Sequence, residues 1–243
     1  MATYVLVGGA WLGSWVWKDV TRELRARGHD VYPVSLTGLA DRVHLGSPAV
    51  DLDTHIADVA NLITFEDLEE VRLAGHSYAG TVITGVADRL PEQLSRVIYV
   101  DSAPFADGMA LLDLFSAEGA ERLRATVAAE GNGWRYPMPP FDELGEDASL
   151  DGLTADHLAL MRRKATPQPF GTYEQRLRLD HGGWATGAFE RVLIACGDVA
   201  PLLELDLPEL AFLKSPAWRV ERLATGHWPM LSKPKELAGL LMT

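Results

Sequence analysis

The stretch VRLAGHSYAGTV, residues 71–82, decides how the rest of this chain is read. A short apolar run, Val71 to Ala74, meets Gly75, and a serine follows two residues later. The pattern just misses G-x-S-x-G: Ala79 holds the fifth place, and Gly80 comes one residue late. A serine on a tight strand-to-helix turn exposes its Oγ at the end of a sheet. The crowded backbone there needs small residues two before and two after it, and Gly75 and Ala79 are both small. Taken alone, Ser77 is either a nucleophile on such an elbow or a polar turn residue, so its surroundings must decide.

Outward from this point, short β-rich runs alternate with helical patterns. TYVLV at 3–7 reads as a buried strand, SWVWKDVTRELRARG at 14–28 as a helix, and DVYPVSL at 30–36 as a strand. DLDTHIADVANLITFE at 51–66 has apolar residues at helical spacing, with Asp51 or Asp53 available as a cap. EVRLAG at 70–75 is a strand and 79–90 a helix; SRVIYVDSA, RVLIACG and WRVERLA are further strands, and KPKELAGLLM closes as a helix. This alternation predicts an α/β fold with a mostly parallel sheet, six-stranded and covered by helices on both faces. Residues 104–186 break the rhythm: they hold no strong strand, helical runs near 109–130 and 154–164, and the Pro/Gly-rich GNGWRYPMPPFDELGED. The expected organisation is a core of 1–103 and 187–243 with 104–186 inserted as a small helical cap over the sheet's carboxyl edge.

Composition narrows the setting. The 243 residues suit one large domain or a domain with an insertion. The net charge of −12 argues against nucleic acid and anionic membranes as partners. A single cysteine, Cys196, rules out an intrachain disulfide and points to a reducing compartment, hence a cytoplasmic location. The apolar start lacks a basic leader and is interrupted by Gly8-Gly9, so it does not read as a signal peptide, and no run is long enough to cross a membrane. The seven histidines are scattered, with no metal-ligand cluster, and GGAWLG lacks the dinucleotide pattern, so neither metal nor cofactor is expected.

A serine becomes a useful nucleophile only when a base takes its proton, and the base needs an orienting carboxylate. In elbow enzymes these follow in the order Ser, acid, His. Past the insertion, RVLIACGD ends a strand at Gly197-Asp198, and the next strand leads to Gly226-His227. Ser77, Asp198 and His227 thus fall at three strand ends facing one crevice. Asp101, past the strand that follows the elbow, is the rival acid. A developing oxyanion needs backbone N–H donors; Tyr78, after the serine, and Ala10, in the loop after the first strand, are placed to supply them.

With these residues in view, the chain resembles the α/β-hydrolase superfamily, and within it the branch of plant methyl-ester esterases, hydroxynitrile lyases and their bacterial relatives. The motifs that carry the resemblance are VLVGGAWLGSWVW, LTGLADRVHL, DLDTHIADV, GHSYAG and GHWPMLSKP, with TPQPFGTYEQRLRL shared by the bacterial members. The resemblance implies a Ser77–Asp198–His227 triad and an oxyanion hole from Ala10 and Tyr78. Two places depart from it. The usual His-Gly of the first loop is Gly8-Gly9, which removes a histidine that organises that loop. The lyases' threonine and lysine are replaced by Gly9 and Trp228, which weakens a cyanide-releasing reading because a neutral indole cannot stabilise the leaving anion. A Ser nucleophile also disfavours the Asp-dependent epoxide hydrolases and dehalogenases.

The expected pocket walls are Trp11, Leu12, Tyr78, Phe105, Trp228 and Met230, with Trp134 and Tyr136 from the cap. The leading expectation is a serine hydrolase cleaving a small hydrophobic ester, lactone or thioester through an acyl-enzyme on Ser77. The alternatives are a lyase or cyclase of secondary metabolism working by His227 acid–base chemistry, and a non-catalytic binder. The expected partner is a small-molecule substrate, with a homodimer left open.

Overall fold

The computed structural model describes residues 1–205 and 207–243. The chain begins with β1 (Thr3–Val7), whose last four residues are fully buried, and passes through a 3₁₀ turn at Ser14–Trp17 into α1 (Lys18–Ala26). β2 (Asp30–Val34) carries Pro33, which suits its place at the sheet edge, where a missing N–H costs no ladder bond on the outer side. α2 (Leu52–Phe65) starts at Asp51, whose carboxylate accepts from Thr54 N at 2.9 Å while Thr54 Oγ1 accepts from Asp51 N, a reciprocal cap. β3 (Val71–His76), α3 (Ala79–Arg89) and β4 (Leu94–Val100) follow with short connections.

The stretch between β4 and the next sheet strand holds α4 (Ala117–Glu130), β5 (Arg135–Tyr136), α5 (Phe141–Asp147), α6 (Ala155–Lys164), β6 (Gln168–Pro169) and α7 (Gly171–Glu174). The chain then re-enters the sheet as β7 (Glu190–Ala195), and α8 (Val199–Leu202), β8 (Trp218–Arg222), α9 (Pro229–Ser232) and α10 (Pro234–Met242) complete it.

Six strands form an all-parallel sheet in the order β2-β1-β3-β4-β7-β8. α1 and α10 pack on one face over a core that includes Tyr4, Leu6, Ala74 and Ile98; α2 and α3 cover the other, over Val5, Val7, Leu73 and Tyr99. The strand order reverses between β1 and β3. The chain leaves β1 towards β2 and returns on the other side, which opens a crevice beyond their carboxyl ends. The loop after β1 and the turn after β3 therefore meet there.

Two sequence expectations change. The helical run near 109–130 is a 3₁₀ turn at Leu111–Leu114 followed by α4. The 104–186 region also contains the antiparallel pair β5–β6, whose two-residue strands are too short to show an alternating pattern. Among the described residues no helix is long and apolar enough to cross a membrane.

Candidate active site

Ser77 sits between β3 and α3 with φ of 53°, a left-handed conformation that a non-glycine residue adopts only where its surroundings hold it. Its N–H donates to Val100 O at 3.2 Å, its carbonyl accepts from Gly80 N at 2.8 Å, and Ser102 Oγ donates to the same carbonyl at 2.6 Å. The late glycine of the motif now has its reason. A Cβ on Gly80 would overlap Ser102 Oγ and come within 2.9 Å of Ala103 O, so the start of α3 lies directly against the turn after β4. Ala79 is wholly buried and its methyl fits.

His227, past β8, lies in the same crevice. Its Nδ1 is 2.8 Å from Asp198 Oδ2 and also 2.8 Å from Asp101 Oδ2. The sequence reading set Asp198 against Asp101 as alternatives; the structure brings both to one nitrogen. Asp101 follows β4 with φ of 43°, and its carboxylate accepts from the N–H groups of Cys196, Val199 and Asp198 at 2.8, 3.0 and 3.2 Å. Asp198 takes one backbone donor, Ser149 N, at 2.8 Å. Ser149 O accepts from His227 N at 2.8 Å, so a residue of the 104–186 region ties the acid loop to the base loop. Burial pulls the pKa of His227 down, but the hydrogen bonds and charges of both carboxylates outweigh it and hold the value up at about 9. Burial likewise raises Asp198, and the bonds from His227 and Ser149 reverse it to a net lowering. With Nδ1–H shared between two acids, Nε2 carries the lone pair once His227 is neutral. It makes no protein hydrogen bond among the described residues, and none joins it to Ser77 Oγ.

His76 precedes the serine and is buried; its Nε2–H donates to His227 O at 2.7 Å, fixing the base loop from below. Burial, with the neighbouring His227, lowers its pKa to about 3, so it stays neutral. Across from it lies the loop after β1. A Cβ on Gly9 would stand 2.8 Å from His76 Nδ1 and 2.9 Å from Ser77 Cβ, so only glycine lets this backbone approach the elbow.

The next residues are pinned from the 104–186 region. Trp11, at φ of 64°, donates its N–H to Gln168 Oε1 at 3.0 Å and its indole N–H to Tyr136 O at 3.0 Å, while its carbonyl accepts from Thr166 N at 3.0 Å. Gln168 is wholly buried and held in turn by Thr172 Oγ1 at 2.8 Å. A glutamine from the TPQPFGTYEQ motif thus steadies the loop that lacks the customary histidine. The backbone N–H groups of Ala10 and Tyr78 are both at the elbow, and neither is taken by a turn bond there. Tyr78 is fixed through its side chain: its hydroxyl lies 2.8 Å from His55 Nδ1, whose Nε2–H donates to Thr37 O at 2.8 Å, and its ring stacks on Tyr173.

A cavity of about 390 Å³ opens above Ser77. Ala10, Trp11, Tyr78, Tyr136, Asp198, His227 and Trp228 line it as read from the sequence, and the indole of Trp228 meets the His227 ring edge-on at 4.9 Å. Leu12, Phe105 and Met230, expected at the walls, are buried in the two cores instead, because their side chains point into the helix layers. Trp134 is not a wall residue either; its ring stacks under the Arg135 guanidinium, beside Gly46. Walls that sequence reasoning missed come from the 104–186 region: Leu111, Leu114, Phe115, Pro139, Leu144 and Tyr173, with Asp147 and Ala148. Nothing in their spacing marks them. Gln168 alone carried a signal, as a polar residue between two prolines in a shared motif.

Asp101, Asp198 and His227 hold their oxygen and nitrogen atoms within 4.8 Å of one another, a cluster of metal-ligand types. The same atoms form the arrangement of a base oriented by hydrogen bonds, with Nδ1 at 2.8 Å from each carboxylate.

The model of the alpha/beta hydrolase family matches residues 4–240, and the chain belongs to that family. A carbendazim hydrolyzing esterase of Nocardioides sp. (strain SG-4G) is 35% identical over 246 residues, covering 98% of this chain and 97% of its own. Methylesterase 9 of Arabidopsis thaliana is 27% identical over 256 residues, covering all of this chain and 97% of its own. Among solved structures, an extracellular alpha/beta-hydrolase from a Paenibacillus species superposes with a TM-score of 0.78 at 23% identity, covering 100% of this chain and 98% of that one. With relatives of these kinds along its whole length, the chain is an enzyme of the carboxylic ester hydrolase type.

Proposed function

We propose that the protein hydrolyses small, neutral, hydrophobic esters, lactones or thioesters through an acyl-enzyme on Ser77. The observation that carries this reading is Ser77 held at positive φ beside a His227 whose Nδ1 is committed to carboxylates. Neutral His227 accepts the Ser77 proton at Nε2 as Oγ attacks the carbonyl carbon. The oxyanion forms toward the N–H groups of Ala10 and Tyr78, and His227 returns the proton to the departing alcohol or thiol. Water then repeats the sequence on the acyl-enzyme, releasing the acid and freeing Ser77.

Neutral substrates are favoured by what lines the cavity. Trp11, Phe115, Tyr136, Tyr173 and Trp228 offer aromatic surface, while the charged side chains outside the base are Asp147 and Asp198. Burial, and after it the negative charges of Asp147 and Glu143, pushes the Tyr136 hydroxyl up to about 12. Among the described residues no Lys or Arg lines the cavity to receive an anionic substrate, and the two wall carboxylates disfavour an anionic substrate or a retained carboxylate product. Carbendazim, named with the Nocardioides relative, is the first aromatic compound to assay. The test is turnover of a neutral aryl ester by the wild type and Ser77→Ala. The substitution is expected to reduce kcat about 10⁴-fold or more; activity retained in Ser77→Ala refutes the nucleophile.

A further inference from the structure

We propose that His227 is oriented by two carboxylates, and that Asp101, a positioning residue outside the Ser77–Asp198–His227 set, holds the base in its working tautomer even when Asp198 is lost. The inference rests on the reading of Ser77 and His227 as nucleophile and base. Its geometric ground is that both Oδ2 atoms stand 2.8 Å from the same Nδ1.

The two acids are not equivalent. The Asp101 side chain is 0% exposed and that of Asp198 is 25% exposed. Three backbone N–H groups from the β7–α8 turn fix the Asp101 carboxylate, against one on Asp198. A charge that is desolvated and already oriented stabilises the imidazolium of the transition state without reorganising, whereas one open to water is partly screened. Asp101 also receives the N–H of Asp198 itself, so it sets the position of the other acid as well as that of the base. The acids bracket Nδ1 from the ends of β4 and β7. Among the described residues the other titratable group against the ring is His76, at the end of β3, with ring centroids 4.7 Å apart. Burial keeps it neutral. The Cys196 thiol, whose residue donates its backbone N–H to Asp101, has its pKa raised by burial and then by the charges of Asp101 and Asp198, and stays protonated. No proton passes to either carboxylate in the cycle: the Nδ1–H stays on His227, and the proton that moves is the Ser77 hydroxyl proton at Nε2.

A base held by one acid loses about 10⁴-fold in kcat when that acid is replaced by its amide. Two acids on one nitrogen predict a different pattern. Asp198→Asn should lose about tenfold or less, Asp101→Asn a comparable or larger factor, and the double variant about 10⁴-fold, far beyond the product of the single effects. Each single variant should also move the acid limb of the kcat/KM profile to lower pH, because one negative charge has left the imidazolium. In proton NMR the low-field Nδ1–H resonance of His227 should persist in both single variants and disappear in the double. A purely structural role for Asp101 would leave the limb and the resonance of Asp101→Asn at their wild-type positions, and that result overturns the proposal. So does a loss of about 10³-fold or more in Asp198→Asn alone. If Asp101→Asn fails to fold, Asp198→Asn decides by itself. The resonance needs no turnover, so an inactive wild type would count against ester hydrolysis while the NMR arms still judge Asp101.

Discussion

At the sheet's carboxyl edge, the polar groups around Ser77 are pinned by hydrogen bonds: Asp101 by three backbone N–H groups, His227 by the Ser149 carbonyl and the His76 ring, Tyr78 by the His55 ring. Across the same cavity, the walls from the 104–186 region are Leu111, Leu114, Phe115, Leu144 and Tyr173, held by packing, and Leu114 is 62% exposed. One side has its geometry fixed by hydrogen bonds with one solution each; the other offers surface that tolerates exchange. The division teaches where chemistry and recognition are separable: substitutions on the first side should change rate for every substrate, and those on the second should change which substrate is preferred.

Short of removing the nucleophile or both acids, the largest expected effect concerns pH and belongs to the pinned side. Only neutral His227 can accept the Ser77 proton, and its pKa is held at about 9. Rate profiles for a neutral ester should therefore fall about tenfold per pH unit well below that value, roughly fiftyfold between pH 9 and 7. A profile flat down to pH 7 would show that the two acids do not act together on the base. The same shift stabilises the fold in the opposite sense. Because the folded pKa lies above the ordinary 6.5, the contribution is complete below about 6.5 and is lost as pH rises through about 9.

Gln168 tests whether the two sides are independent, since it reaches from the second to hold Trp11 of the first. Gln168→Ala leaves the Trp11 N–H without an acceptor. It should lower kcat by about ten- to a hundredfold with little change in KM, the range expected when an oxyanion donor is displaced rather than removed. An unchanged kcat would mean that the loop after β1 holds its shape alone. The smallest effect is expected at the far wall. Phe115→Ala should shift the preference between bulky and small acyl groups by about tenfold while kcat for the smallest ester stays near wild type. A uniform loss across an ester panel would erase the distinction between the sides.

How much of this was legible in the sequence follows the same line. The strands and α3 could be read because burial imposes periodicity on residues such as Val71–Ala74, and the strand ends then placed Ser77, Asp198 and His227 in one crevice. The sequence could not show that Asp101 and Asp198 share a nitrogen, because either loop length reaches the base. Nor could it show Ser149 bridging the two loops, since that bond joins backbone groups and carries no residue signature. Leu12, Phe105 and Met230 were read as walls because they neighbour motif residues, and the helix layers claimed them instead. The walls that do face Ser77 lie on the 3₁₀ turn Leu111–Leu114, at Phe115, Pro139 and Ala148, and on α5 and α7, and their orientation is set by tertiary packing that local spacing does not encode.

The central claim is that Ser77 is an activated nucleophile, and the most direct test is covalent. Intact wild type treated with a fluorophosphonate should gain the mass of one phosphonyl group, and fragmentation should place it on the peptide containing Ser77. Labelling should fade as pH falls below about 9 with the protonation of His227. No adduct, or an adduct on any residue other than Ser77, would contradict the account.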